Sequence, residues 1–340
     1  MAAGIDGAPV VGVGVPPVES TTPGEDPPVP APDFTLYWST LDMYESCNQR
    51  FLWSKGWEGI DVGGGVGRKK PVPVKDSRHH ALMGIVIQGV IEDMYNQEWW
   101  KHARGLVTRM LEATDARFKF EVERQYIDWR LSPPKAELLQ VCRDGVYGYM
   151  KTMHANRLLG PYAVAEFDLL GYVDGDNPVG GRADVILRRE DTGTSILDGK
   201  NSKEKGKYTD PDQLRWYALC HYLAYGRLPD RLGFIYYRFP HDAEKGESGV
   251  DWVPFTKEDV RGLAGRAVDA RKKMKKQHFD ANPSLSNCRF CEYETVCGAR
   301  IAQKAANAKN RGKGADKTPD TMGGFVDLDF GGGVSPAKGG

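Results

Sequence analysis

The chain reads as a mixed α/β protein (α+β in some schemes) with a central sheet flanked by helices. Three observations predict this. Two apolar runs, Gly181–Leu187 and Ile196–Lys200, flank the polar stretch Glu190-Asp-Thr-Gly-Thr194 and read as a β-hairpin with Gly193 in the turn. Two further β-rich runs follow, Leu232–Phe239 and Val250–Phe255. Long stretches of helical period lie before, between and after them, at 79–95, 136–159 and from Thr256 onward. With 340 residues the chain can bury a substantial core in one large or two small domains.

Composition narrows the classes. The 46 basic and 46 acidic residues balance, so only a local patch could serve a polyanion. No segment approaches the ~18–20 apolar residues of a membrane span, so no membrane partner is expected. The N-terminus lacks the basic-then-apolar pattern of a secretory signal. Four of the six cysteines fall in a metal-like pattern, which favours a reducing, cytoplasmic setting over a disulfide scaffold.

Residues 1–32 are rich in Pro, Gly and Val and read as a disordered leader, with order starting near Phe34. Leu36–Phe51 fits one helix capped by Ser39 or Thr40, carrying Cys47. Gly63-Gly-Gly-Val-Gly67 followed by Arg68-Lys-Lys70 lacks the Gly-Lys-Ser/Thr ending of a phosphate loop and reads as a mobile basic connector. His79–Tyr95 is helical by pattern and sets Gln88 and Glu92 on one face; adjacent His79 and His80 read as exposed. Residues 97–160 give two or three helices around Pro133-Pro134, a helical lobe over the sheet, with Cys142 in its core. Tyr162–Val173 reads as the first strand and carries Glu166.

The hairpin carries the chemistry. With Glu190–Thr194 as loop, Arg189 pairs with Ser195, Ile186 with Asp198 and Asp184 with Lys200. Alternation then puts Asp184, Asp198 and Lys200 on one face. Two carboxylates at that spacing suit a hard divalent cation such as Mg²⁺ or Mn²⁺, and a lysine beside them can steady developing negative charge. A surface Lys–Asp pair is the plain alternative. After a loop with Lys203, Lys205 and Lys207, which could clamp a nucleic-acid strand, a helix starting near Asp212 carries Gln213 and Tyr217 one turn apart, and Cys220 in its core. Thr256-Lys-Glu-Asp259 forms a capping box for a helix made basic by Arg271–Lys276. Cys288-Arg-Phe-Cys291 and Cys297 bring three thiols within reach of one centre, and Cys47 makes a fourth; iron or zinc would accept that set. Residues 301–340 read as a disordered tail with a Phe325–Phe330 acidic-aromatic island suited to docking.

Gly181-x-x-Asp184, Asp198-Gly-Lys200 and Gln213-x-x-x-Tyr217, in that order, resemble the PD-(D/E)XK nuclease superfamily. The closest likeness is to its RecB-type branch and the CRISPR-associated iron–sulfur exonucleases, over roughly Leu36–Cys297. The resemblance implies a restriction-endonuclease-like sheet in a domain spanning 33–300, with 97–160 as a helical lobe and 286–300 as the cluster-binding segment. It implies metal-dependent cleavage of DNA, as an exonuclease on single-stranded DNA or single-stranded ends, in recombination, repair, or phage or CRISPR DNA processing. The setting would be the cytoplasm of a bacterial or phage-infected cell, with a recombination or replication protein as a further partner. Asp184 and Asp198 would hold Mg²⁺ or Mn²⁺, with Glu166, Gln88 and Glu92 as further ligands. Lys200, Gln213 and Tyr217 would complete the catalytic set. Cys47, Cys288, Cys291 and Cys297 would hold a [4Fe–4S] cluster, with zinc the less favoured occupant. Relatives carry histidine where Gln88 stands, four residues after Gly84. Two alternatives stay open: an iron–sulfur DNA-binding protein that does not cut, and a zinc-stapled interaction protein.

Overall fold

The structure is a computed structural model, and it describes residues 34–71, 79–102, 104–175, 177–206, 209–289 and 291–313. The expected leader, Lys207 and the Phe325–Phe330 island lie outside the described residues.

Six strands form one mixed sheet: β1 (Leu36–Tyr37), β2 (Ala163–Val173), β3 (Asn177–Arg189), β4 (Gly193–Lys200), β5 (Arg231–Tyr236) and β6 (Val250–Val253). The path runs β1-β3-β4-β5-β6, with β2 pairing β3. Antiparallel β2 lines one edge of β3 along most of its length. The other edge is divided: β4 takes Val185–Arg189 and parallel β1 takes Val179–Gly180. Between them β3 and β4 diverge and leave a fork at Gly181–Asp184.

Helices cover both faces. On one, α3 (His79–Asn96), α4 (Leu106–Arg124) and α5 (Lys135–Ala155) enclose a core with Val185, Leu187, Leu197 and Ile235. The helical region from 97 to 160 therefore shares one core with α3 and the sheet. On the other face, α1 (Trp38–Ser46), α2 (Asn48–Lys55), α6 (Pro211–Tyr225) and α7 (Lys257–Lys275) pack against Ile186, Ile196, Leu232 and Phe234. Each fully buried Leu or Ile there contributes on the order of 1.5–3 kcal/mol. Cys142 and Cys220 are buried, one in each core. Thr256 and Asp259 make the expected reciprocal capping box of α7, though Arg271 in its basic stretch is buried and donates to the Phe34 carbonyl at 2.7 Å.

Several expectations need correction. The hairpin register is two residues tighter than predicted: Arg189 pairs with Gly193 and Ile186 with Ile196. Gly193 adopts φ 69° and an added Cβ would meet the Asp230 carboxylate, which accepts from Thr194 N–H at 2.7 Å. That contact closes the turn early, and because the shift is even, side-chain parity survives.

The predicted helix over Leu36–Phe51 is strand β1 followed by two helices, broken at Cys47 in extended backbone (φ −161°, ψ 106°). Tertiary contacts override the helical pattern: Gln49 N–H donates to Asp280 O at 3.2 Å and Tyr44 Oη to His278 O at 2.9 Å. The sheet therefore starts at β1, before Tyr162–Val173. Finally, the chain stays regular past residue 300: α9 (Gly298–Lys313) is helical, since its Ala, Lys and Gln residues are strong helix formers. The Gly-rich connector hugs α2, with Lys70 N–H donating to Trp53 O at 2.8 Å and its ammonium 4.1 Å from the Trp53 ring.

Candidate active site

Asp198 and Lys200 lie at the end of β4, where the strand leaves β3. Asp198 is 3% exposed. Its Oδ1 accepts from Gln213 Nε2 at 2.9 Å, and its Oδ2 lies 2.6 Å from Lys200 Nζ without meeting hydrogen-bond geometry. Lys200 Nζ also donates to Gln213 Oε1 at 2.9 Å. Gln213 thus spends its oxygen on the lysine and its nitrogen on the aspartate, and that nitrogen is also 3.0 Å from Tyr217 Oη. Helix α6 delivers both side chains from one face, its start fixed by Asp210 capping Asp212 N–H and by Pro211 in the first turn. Tyr217 packs on Gly181, where a Cβ would approach its ring to 2.8 Å. Burial raises the Tyr217 phenol far above its ordinary range, with the charges of Asp198 and Asp184 adding to the effect.

Asp184 reaches into the fork. Its Oδ2 accepts from Gly199 N–H at 2.7 Å, taking the place of a ladder bond. Continuing the observed register sets Asp184 opposite Asp198 on one side and opposite Glu166 on the other. Glu166 adopts φ 49°, a left-handed conformation in the middle of a strand. At this level the strands change sides: Ala163, Ala165, Val185 and Leu187 join one core, while Leu169, Val173, Val179 and Ala183 join the other. Strict alternation would put all eight on one face. Such strain costs on the order of 1–3 kcal/mol and collects at functional sites.

Burial and mutual repulsion dominate the charges. Asp184 is held well above the usual carboxylate range by burial, then by the charge of Asp198. Asp198 is raised by burial, against the opposing pull of Lys200. Glu166 is raised by burial, with Glu92 adding to it. From α3, Gln88 and Glu92 come to the same place. Gln88 Oε1 accepts from Tyr237 Oη at 3.0 Å, and Gln88 Nε2 is buried without a partner.

The loop lysines divide: Lys205 pairs with Asp251 at 3.0 Å, and Lys203 is exposed. The His79 and His80 rings meet at a 42° tilt with centroids 4.0 Å apart at the start of α3.

The other cluster joins the two ends of the described chain. Cys47, Cys288, Cys291 and Cys297 line one cavity with Gln49, Arg50 and Arg300. Asn282 N–H points at Cys47 Sγ at 3.5 Å, and Cys297 Sγ lies 3.5 Å from Gln49 Oε1. Burial raises the Cys291 thiol, and the nearby Arg50 opposes it. Around the sulfurs the anchoring is firmer: Arg50 and Ser54 hold Glu292 at 2.9 and 3.0 Å, and Tyr293 Oη donates to Trp53 O at 2.8 Å. Among the described residues no three or more His, Cys, Asp or Glu side chains are grouped so that they could hold a metal ion.

A sequence model of the PD-(D/E)XK nuclease superfamily matches residues 38–298. The chain belongs to this superfamily. No curated protein matches it. The solved structure of SSO0001 aligns with 49% of this chain and 79% of its own at 16% identity and a TM-score of 0.28, too slight an overlap to inform fold or function. The mixed sheet flanked by helices is the restriction-endonuclease-like fold expected of a superfamily member, and its nucleases typically use Mg²⁺ or Mn²⁺. The donor set here suits such a cation in kind. Buried carboxylates repel one another, and one buried oxygen of Asp198 has no partner but the lysine. No described helix is long and apolar enough to cross a membrane.

All eight residues singled out around the hairpin gather at the fork. Tyr237 was missed. In the sequence it reads only as part of a strand, but it lies one residue past β5, where its hydroxyl points at Gly199. The glycine between Asp198 and Lys200 was the available signal, since an added Cβ would sit 1.7 Å from Tyr237 Oη.

Proposed function

We propose that the chain is a metal-dependent deoxyribonuclease of the RecB-type branch, acting as an exonuclease on DNA with single-stranded ends. The observation that carries this is the Asp198–Lys200–Gln213 circuit beside Asp184 in the β3–β4 fork. Asp184 and Asp198 would hold Mg²⁺ or Mn²⁺, with Glu166 and the α3 residues Glu92 and Gln88 around them. Such an ion acidifies water and offsets charge on a phosphodiester. Lys200 does the chain's own part: its ammonium, fixed by Gln213 and Asp198, orients the attacking water and stabilises the charge growing on the phosphoryl oxygens. Tyr217 keeps the Gln213 amide in the orientation that serves both neighbours. No side chain becomes covalently attached in this scheme.

The nuclease unit would span 33–300. Cys47, Cys288, Cys291 and Cys297 would bind a [4Fe–4S] cluster, which takes four such thiolates. This staple would tie α2 to the C-terminal segment. DNA recombination, repair, or phage or CRISPR DNA processing is the setting that this chemistry serves, with a recombination or replication protein as a further partner. Glutamine at position 88 favours one second reading, an iron–sulfur protein that binds DNA without cutting it.

End-labelled linear and circular DNA, incubated with the protein and Mg²⁺, Mn²⁺ or chelator, separates the two. Cation-dependent loss of label from linear DNA alone supports the exonuclease; binding without loss supports the second reading. Zinc without iron in an anaerobic preparation would overturn the cluster.

A further inference from the structure

We propose that Tyr237 and Gln88 form a positioning pair that steers the Glu166 carboxylate toward Asp184, with Gln88 acting through its amide nitrogen and not as an oxygen ligand. This rests on the fork being the cation site of the nuclease.

The Tyr237 hydroxyl donates to Gln88 Oε1 at 3.0 Å. With the oxygen engaged, the amide turns its NH₂ the other way, where Nε2 is buried and unpartnered. The Glu166 side chain is its neighbour. A carboxylate presents its oxygens as acceptors, so an amide oxygen turned toward it would be repelled and an N–H is attracted. Glu166 also sits at φ 49°, a conformation that persists only where the surroundings impose it.

Tyr237 is seated to do this. Gly199 leaves room for its hydroxyl, and a Cβ at Gly148 of α5 would lie 2.0 Å from its carbonyl. The Tyr149 ring meets Tyr237 edge-on at 6.0 Å and is itself bonded to Tyr95 of α3 at 2.7 Å. Three elements therefore fix one phenol, and that phenol fixes one amide. The arrangement gives α3, which lacks the histidine of its relatives, a different task at the same site.

The test uses the full-length chain with Tyr237→Phe and Gln88→Glu. Mn²⁺ affinity is titrated without DNA, and kcat and KM are measured on linear DNA. Tyr237→Phe should weaken Mn²⁺ binding about three- to tenfold and lower kcat with KM unchanged, because the ring still packs and only the hydroxyl is lost. Gln88→Glu should also weaken Mn²⁺ binding, since a new carboxylate would push Glu166 away. Tighter Mn²⁺ binding by Gln88→Glu would mark position 88 as a ligand and overturn the proposal, as would an unchanged Tyr237→Phe. A double-mutant cycle of Gln88→Leu and Glu166→Gln, read as melting midpoints in chelator, needs neither cation nor DNA. Non-additivity of a few degrees supports the pair and strict additivity overturns it. Should wild type neither bind Mn²⁺ nor cut, the nuclease reading fails and the cycle still decides the pair.

Discussion

In the β3–β4 fork, Asp198, Lys200, Gln213 and Tyr217 are joined to one another at 2.6–3.0 Å. Around the cysteine cavity the polar contacts of Cys47 and Cys297 are 3.5 Å long, and firm bonds are made by their neighbours Glu292 and Tyr293. The fork rests on a strand and a helix, so regular backbone aims its side chains before any ligand arrives. The cavity rests on a helix break and the short helix α8 (Leu285–Arg289), so aromatic and ionic contacts bring its sulfurs together. A preorganised polar site carries its cost as buried repulsion. At the thiol cavity it is the sulfurs that are weakly paired, and a bound centre would tie them together. The two regions should therefore respond to substitution in opposite ways.

The largest expected effect is on cleavage and leaves the fold alone. Asp184→Ala, Asp198→Ala and Lys200→Ala should each lower the cleavage rate on the order of 10²–10³-fold or more, with little loss of stability. Lys200→Ala should still bind DNA, because the carboxylates that would hold the phosphate-binding cation remain. Cleavage at the wild-type rate by any one of the three, in a single-turnover assay, removes that residue from the proposed machinery.

The converse holds at the cavity. Cys47→Ser, Cys288→Ser, Cys291→Ser and Cys297→Ser should each abolish the expected content of about four irons per chain. Each should lower stability by about 2–5 kcal/mol, comparable to removing a cross-link that closes a long loop. Cys142→Ser and Cys220→Ser should keep the iron, since those thiols are buried in the two cores away from the cavity. Iron assay and denaturant melts on anaerobic protein read both quantities. Retention of full iron by a Cys47→Ser variant would break the comparison, because the N-terminal arm would then contribute nothing to the centre.

Much of this was legible in the sequence, for physical reasons that differ between the regions. The parity of Asp184, Asp198 and Lys200 survives an error of two in register, so alternation placed them correctly although Gly193 and Asp230 close the turn early. Gln213 and Tyr217 share a helix face by period alone. Cysteine spacing is read directly because few other roles require it. What stayed hidden depends on tertiary contact. The φ 49° at Glu166 and the exchange of faces beside it leave no mark in a pattern of apolar residues. The break at Cys47 is held by bonds that Gln49 N–H and the Tyr44 hydroxyl donate to a segment more than two hundred residues away. In the sequence Tyr237 is an ordinary strand aromatic, and only the fold sets its hydroxyl over Gly199.

The smallest effect reads the cost carried by the fork itself. Asp184→Asn keeps an oxygen for Gly199 N–H and removes one negative charge from beside Asp198 and Glu166. In chelator at pH 8 this variant should be more stable than wild type by roughly 1 kcal/mol, the usual scale of such gains. The sign follows from proton binding. Burial raises the Asp184 pKa in the folded chain above the ordinary aspartate value near 3.8, so between that value and the raised one the folded state holds more protons than the unfolded state. Stability then falls as pH rises through this window and recovers as pH is lowered. The advantage of Asp184→Asn should therefore be largest at the alkaline end of this window, shrink on acidification, and vanish below the ordinary aspartate range. Adding Mg²⁺ should reverse the order at pH 8, because only the wild-type carboxylate helps bind the cation and binding stabilises the folded state. Thermal melts of both proteins at several pH values, with and without Mg²⁺, give all four comparisons. A variant less stable than wild type in chelator at pH 8 would mean that the Gly199 bond outweighs the repulsion, and the fork would then not be a strained, cation-seeking site.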